Sequence, residues 1–324
     1  MRTIEQVQEF YHSTLVDRLK SLETLRKSIR NRTILAVALI ALPFIALFAI
    51  PNGSTDPKAG LAMFGAIACV IAGIVIIIIT KRKRREYRAE YKSKVVAEIV
   101  KMVDDSWNYQ PDGRIGEHEY RASDLFRQSV DRYTGDDLIS GKIDKTDFRC
   151  SEIHSEYKTY TTDDDGKRKE EWHTIFKGLF FHADFNKHFT ARTYVVPEVR
   201  GGLKLFSSVG GMSRRGDRVK LEDPEFEKNY EVFSTDQIES RYILTPAIMQ
   251  AMTAIKKELN TSVYFSFIDE RVYCAMFFNK NLFEPRIMKS GVNFEDIEKM
   301  YKLFATNALI INELNLNTRI WTKD

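Results

Sequence analysis

Three groups of residues in this chain have types and spacing that could do chemistry. Cys150, Glu152 and His154 alternate along one stretch, and a cysteine beside a histidine can form a nucleophile and its base. Alternation on a strand would put all three on one face. A cysteine and a histidine four residues apart would then be separated by roughly 13 Å, too far for direct proton transfer, so no dyad is expected. His173, His182, Asp184 and His188 could offer nitrogen and carboxylate donors to a metal. They lack the HExxH or CxxC spacing that marks a metal site, so edge or exposed histidines are expected and no metal or other cofactor is implied. The third group is the segment Arg200 to Lys220, where Gly201, Gly202, Gly210, Gly211 and Gly216 are mixed with Arg200, Arg214, Arg215, Arg218 and Lys220. Backbone N–H groups of a glycine-rich loop and nearby cations together suit an anion. The GxxxxGK[ST] order is missing and no strong helix follows, so the expectation is a contact to an anion or anionic lipid headgroup, not a nucleotide loop.

The elements that must carry these groups are set first by two apolar runs, Thr33 to Ile50 and Leu61 to Ile79, neither containing a charge. As helices they would rise roughly 27 and 28 Å, close to the roughly 30 Å hydrocarbon core of a bilayer. A transmembrane helical hairpin over 33–80 is therefore expected. Pro43 is tolerable in such a helix. Gly65, Cys69 and Gly73 share a face of the second span and would let Ala38, Ala41 or Ala46 of the first approach.

Charge gives the orientation. Arg26, Lys27, Arg30 and Arg32 precede the first span, and Lys81, Arg82, Lys83, Arg84 and Arg85 follow the second. The connector Pro51 to Gly60 carries only Asp56 and Lys58. By the positive-inside rule both termini and everything beyond Lys81 face the cytoplasm, in a multi-pass integral membrane protein. The first span follows 32 residues of helical pattern and no small-x-small cleavage site, so it reads as an anchor and not as a cleaved signal. Cys69 lies in a span, and Cys150 and Cys274 would sit in a reducing compartment. The net charge of +4 is concentrated beside the spans, and the chain from Val95 onward is net acidic. Lys81 to Arg85 are expected at anionic headgroups, and a nucleic-acid role is not supported.

Apolar stripes on both flanks, Ile4 to Ile29 and Tyr87 to Val103, recur at helical steps, giving an amphipathic N-terminal helix over 1–32 and a basic juxtamembrane helix over 81–108. They could pair as an antiparallel stalk. From 109 to 324 the pattern becomes that of an α+β domain with a mostly antiparallel sheet and packed helices. Strands are expected at Thr146 to Thr161 and Trp172 to Phe185, joined by the turn Asp163 to Gly166. Others are expected at Thr190 to Pro197, Leu203 to Phe206, Arg218 to Leu221, Tyr230 to Ser234, Ser262 to Ile268 and Val272 to Phe278. Ala122 to Val130 reads as a short helix, Pro246 opens another that ends near Asn260, and Asn293 begins the last. In Leu221 to Phe226, Pro224 is expected to end a strand and begin a turn. Gly178 within an apolar strand points to a bulge or a close backbone approach.

The motifs Phe176 to Phe181, Asp184 to Lys187, Leu221 to Glu227, Tyr242 to Pro246 and Phe283 to Pro285 resemble the bacterial domain-of-unknown-function family numbered 3137. The resemblance runs over the two apolar helices and nearly all of the domain beyond. It implies a membrane protein without an assigned activity, and a LemA-type membrane protein as a candidate partner. It carries over no catalytic residue.

Two functional readings follow. The first is a membrane-anchored cytoplasmic interaction or scaffold module, non-enzymatic, facing a protein partner and the anionic bilayer; a homo-oligomer is compatible with it. The alternative is a membrane-associated enzyme, such as a hydrolase, whose site lies in the cytoplasmic domain among the histidine and acidic residues. Aromatic residues fall at strand periods, as core does, and no acid, base and nucleophile converge at recognisable spacing, which favours the first.

Overall fold

The computed structural model describes residues 2–49, 57–162, 166–185, 190–198 and 215–314, with the side chains of 46–49 and 57–62 excepted. Of the residues singled out above, Ile50, the connector residues 51–56, residues 163–165 of the expected turn, residues 186 and 187 of the second motif, His188, Arg200, Gly201, Gly202, Gly210, Gly211, Arg214 and the strand expected at 203–206 lie outside these. The chain divides into two compact units, Met1–Ile99 with Phe283–Met300, and Val100–Leu282 with Tyr301–Asp324.

The first unit is built on two long helices. One runs through Ile4–Phe10, a π-turn at Tyr11–Leu15 and Val16–Ala49, and Thr3 opens it with a capping box to Gln6. The other starts as Pro57–Tyr91 and enters a π-turn at Lys92–Val96. Both are long and apolar enough to cross a membrane. Their apolar stretches are uncovered: Ile34, Phe44, Ile45, Phe64 and Ile78 are all more than half exposed. The flanking stripes pair. Val7, Leu15, Leu19, Leu22 and Ile29 on one side and Tyr87, Tyr91, Val95 and Ile99 on the other are buried. Arg18 reaches across to donate to the Lys94 carbonyl at 3.1 Å and to pair with Glu98 at 3.1 Å. Lys94 belongs to the π-turn, and a wider helical register is where a backbone carbonyl can accept such an outside donor. Gly73 provides the close helix approach, but against Ala36 and Ile40 in place of the expected Ala38, Ala41 or Ala46: a Cβ there would stand 2.7 Å from Ile40 Cγ1 and 3.0 Å from the Ala36 carbonyl. Gly65 faces open space.

In the same unit Phe283 is buried, and Glu284 pairs with Arg88 at 2.5 Å and with buried Lys92 at 3.3 Å. The Phe283–Glu284–Pro285 motif thus acts here as a clasp on the second long helix. Arg26 is held by both oxygens of Glu23 and by the Ile287 carbonyl.

The second unit is α+β. Among the described residues its nine strands form one antiparallel sheet in the order β1-β2-β3-β4-β9-β8-β5-β7-β6. They are β1 Asn108–Gln110, β2 Arg132–Ile143, β3 Thr146–Thr162, β4 Arg168–Asp184, β5 Thr193–Pro197, β6 Asp217–Val219, β7 Tyr230–Ser234, β8 Val263–Ile268 and β9 Arg271–Phe277. The long β3/β4 hairpin is the spine. Its outer part, from Tyr157 and His173 to the turn, pairs only within itself, and β9 joins β4 from Gly178 to Asp184. Gly178, at φ +155°, fulfils the close-approach expectation, because a Cβ would lie 1.9 Å from the Met276 carbonyl oxygen.

One sheet face packs Ile153, Phe176, Phe180, Tyr264, Tyr273 and Ala275 under a cover that includes Ile115, Tyr120 and Leu125. That cover is fastened by hydrogen bonds: Ile115 N–H to Ser151 Oγ at 3.0 Å, Tyr120 to Ser155 at 2.8 Å, and Ser266 Oγ to the Ser123 carbonyl at 2.7 Å. The helix Glu117–Ala122 provides it; residues 123–130, expected as a helix, are irregular. The helix Pro246–Leu259, capped by Thr245, and the helix Phe294–Glu313 have the expected apolar faces. Pro224 opens the helix Pro224–Asn229 under an Asp223 cap where a turn was expected.

Candidate functional site

Antiparallel register assembles a polar site at one end of the covered face. Arg149 on β3 is the direct cross-strand partner of His182 on β4, and His182 in turn faces Tyr273 on β9. Arg271 lies two residues before Tyr273 and so shares its face. From above, Glu119 comes in on the helix Glu117–Ala122. A concave space of about 560 Å³ opens here, lined by Glu119, Arg149, His182 and Arg271 with Ser106, Ser140, Gly141, Lys142, Asp147 and Phe148.

The hydrogen bonds fix the chemistry of the ring. Arg271 Nη1 donates to His182 Nδ1 at 2.9 Å. Because a guanidinium only donates, Nδ1 must accept, and the neutral ring carries its hydrogen on Nε2. Nε2 lies 3.4 Å from Glu119 Oε1 without the alignment of a hydrogen bond, and it is buried with no partner. Glu119 is otherwise engaged: Oε1 accepts from Arg149 at 3.0 Å and Oε2 from the Gly116 N–H at 3.1 Å. Burial of the His182 side chain, with Arg271 and Arg149 nearby, outweighs the attraction of Glu119 and pulls the ring from its ordinary 6.5 to about 4. At neutral pH His182 is therefore a neutral donor and not a general base.

The other sequence candidates are separated by the fold. His173 sits nine residues from His182 on the same strand, roughly 30 Å away, where it stacks on Tyr157 and bonds Thr159 at 2.7 Å. His154 bonds Thr174 at 3.2 Å. Cys150 and Cys274 flank Phe181 in one cross-strand row, wholly buried; burial pushes the Cys150 thiol up to about 12 and raises that of Cys274 as well. Neither is an activated nucleophile. Glu152 accepts from the Leu282 N–H at 3.0 Å. Cys150, Cys274 and Glu152 are interior structure, and His154 and His173 are half-buried.

Of the basic segment, Arg215 is a correction. It was expected at an exposed anion contact, but its side chain is buried, donates to the Leu125 carbonyl at 3.2 Å, pairs with Asp124 at 3.5 Å and lies over the Tyr194 ring. Its charge is spent inside the fold. Arg218 pairs with Glu231 at 3.2 Å and Lys220 is exposed. In the helical unit, Arg82 pairs with Glu86 at 3.2 Å and Arg84 donates to Thr33 at 3.0 Å.

Residues 174–316 match the model of a family described as "Protein of unknown function (DUF3137)". The matched segment is less than half of the chain. It contains His182 and Arg271 but neither of the long helices, over which the sequence resemblance also extended. No curated protein matches the chain. Among solved structures, the crystal structure of the mycobacterial trehalose monomycolate transport factor A, TtfA, aligns with 68% of this chain and 92% of its own, at 10% identity and a TM-score of 0.30.

Sequence reasoning had His182 but grouped it by spacing with the wrong neighbours. Glu119, Lys142, Arg149 and Arg271 were missed, because a helix, the β2/β3 hairpin and β9 carry them and only the fold joins those elements.

Proposed function

We propose that this chain is a membrane-anchored interaction or scaffold module. In this reading the two long helices cross the bacterial inner membrane as a hairpin, and both termini and the sheet-bearing unit lie in the cytoplasm. The supporting observation is the exposure of the apolar helix surface: only 11% of each apolar window is buried, whereas core helices of a soluble protein would be covered. Lys81, Arg82, Lys83, Arg84 and Arg85 then stand at anionic headgroups, with Arg218 and Lys220 as further lipid or anion contacts. The partner is a protein beside the membrane, and a LemA-type membrane protein is the candidate offered by family resemblance.

The non-enzymatic reading is favoured over a hydrolase by the chemistry of the described residues. The buried thiols are raised and inert, and the buried histidine has its Nδ1 occupied by a permanent cation. Topology is tested by a single cysteine at Ser54 in the connector of a Cys-free chain, labelled in intact spheroplasts with a membrane-impermeant maleimide. Labelling at Ser54 together with protection of a cysteine at Asp324 is expected; the reverse pattern removes the orientation, and labelling of both removes the hairpin. In-membrane crosslinking followed by purification should yield one stoichiometric membrane-protein partner.

A further inference from the structure

The concave site around His182 has a charge pattern that the interaction reading leaves unused. Three cationic side chains line it, Lys142, Arg149 and Arg271, against two carboxylates, Glu119 and Asp147. Both carboxylates are committed, Glu119 to Arg149 and Asp147 to Lys142 at 3.5 Å. Arg271 alone among the three donates to a neutral ring, and among the described residues no carboxylate pairs with it. His182 is 3% exposed, and its Nε2, the ring's donor, has no hydrogen-bond partner. A buried imidazole thus fixes an arginine at the rim of a cavity while leaving the arginine's charge uncompensated. Arginine in such a setting suits planar, multidentate recognition of phosphate or carboxylate oxygens, and lysine adds a point charge. The volume of about 560 Å³ exceeds what an inorganic ion needs and falls within the range for small-molecule sites. Serine hydroxyls at Ser106 and Ser140 supply further hydrogen-bonding capacity.

We propose that this site binds a phosphate group, carried by a small polar molecule or by a lipid headgroup, with Arg271 and Lys142 as the principal contacts and Arg149 as the third. The site is independent of the membrane-anchor reading, since every residue in it belongs to the sheet-bearing unit.

The test is equilibrium dialysis of inorganic phosphate against the full chain in phosphatidylcholine nanodiscs. Saturable binding is expected. Arg271→Gln should weaken it about tenfold, as loss of a charged hydrogen-bonding partner does, and exposed Lys142→Gln about threefold. Glu119→Gln should tighten binding, because it removes negative charge while keeping an acceptor for the Gly116 N–H; a misfolded variant cannot mimic that gain. Arg132→Gln, at the other end of β2 and outside the site, should match the wild type. Repeating the titration in nanodiscs containing phosphatidic acid separates the sources: displaced phosphate identifies a lipid headgroup, and unchanged binding identifies a soluble phosphate compound. Absence of saturable phosphate binding to the wild type, or equal binding by wild type, Arg271→Gln and Lys142→Gln, overturns the proposal.

Discussion

Arg26 in the helical unit and Arg271 in the sheet unit each rest on a well-defined partner, but the partners differ in kind. Arg26 is 2% exposed; Nε and Nη2 donate to both oxygens of Glu23, at 2.8 and 2.6 Å, and Nη1 donates to the Ile287 carbonyl at 2.6 Å. Its charge is matched within its own helix. Arg271 is exposed and donates to the neutral ring of His182, whose other nitrogen is buried without a partner. The first arrangement is closed, because adding any further anion would displace an existing one. The second is open: its positive charge is oriented but not neutralised. A buried ion pair that is complete holds structure together, whereas an arginine oriented by a neutral group is left able to take up a ligand.

The largest effect that separates the two is expected at Glu23. In Glu23→Ala the Arg26 guanidinium stays buried without a carboxylate, which should cost about 3–5 kcal/mol in urea denaturation of the detergent-solubilised chain. Arg26 also holds the Glu23 carboxyl below its ordinary range, so this stabilisation is present at neutral pH and is lost as acid protonates the carboxylate. A loss under about 1 kcal/mol would mean that water solvates Arg26, and the contrast with Arg271 would fail.

The sheet site responds to acid through His182. Its folded value of about 4 lies below the ordinary 6.5, so the unfolded chain binds the proton more readily. Stability is therefore full above about pH 6.5, falls as pH drops from there towards 4, and stops falling on this account below 4. Over that window the linkage amounts to about 3 kcal/mol. His182→Gln should flatten this part of the stability profile while leaving the Glu23 contribution at lower pH in place. An unchanged slope in that variant would show that His182 titrates normally and that its bond to Arg271 is not held in solution.

How legible these two regions were follows from how each is made. The helical unit could be read from composition and period, because its helices are continuous and each helical stripe is a local pattern in the sequence; even so, Gly73 packs on Ala36 and Ile40, a register that small-residue spacing could not choose. Most long strands were equally visible as aromatic and β-branched runs. β2 was not, since Arg132–Ile143 contains Gly135, Asp136, Asp137 and Gly141, residues depleted in strands, and it accommodates them with a register shift between Asp136 and Ile139 where Asp137 takes φ +58°. That strand carries Ser140, Gly141 and Lys142 of the cavity, so missing it hid one wall. His182 was noticed, but spacing tied it to His173, and nine residue steps along β4 carry the two rings far apart on the hairpin. Arg215 looked like surface charge because glycine-rich sequence surrounds it; nothing local records that Asp124 and Tyr194 wait for it in the interior.

The outer part of the β3/β4 hairpin handles cations in a third way, and its expected response is the smallest. Arg132 lies with Cζ 3.7 Å from the centroid of the Trp172 ring and pairs with Glu156 at 3.0 Å, while Lys158 and Arg168 lie 5.3 and 5.0 Å from the Tyr160 ring. Arg132, Arg168, Tyr160 and Trp172 are exposed and Lys158 and Glu156 half-buried, so water reaches each pair, and an ion pair or a cation–π contact there is worth little. Arg132→Ala should cost about 1 kcal/mol or less and shift the Trp172 emission to the red, because the indole loses the guanidinium that covers it. A loss above about 2 kcal/mol would place Arg132 with Arg26 among the closed, structural cations. The emission shift without a stability loss would instead mark Trp172 as a surface ring screened by a removable side chain, leaving Arg271 as the cation whose charge the fold orients but does not neutralise.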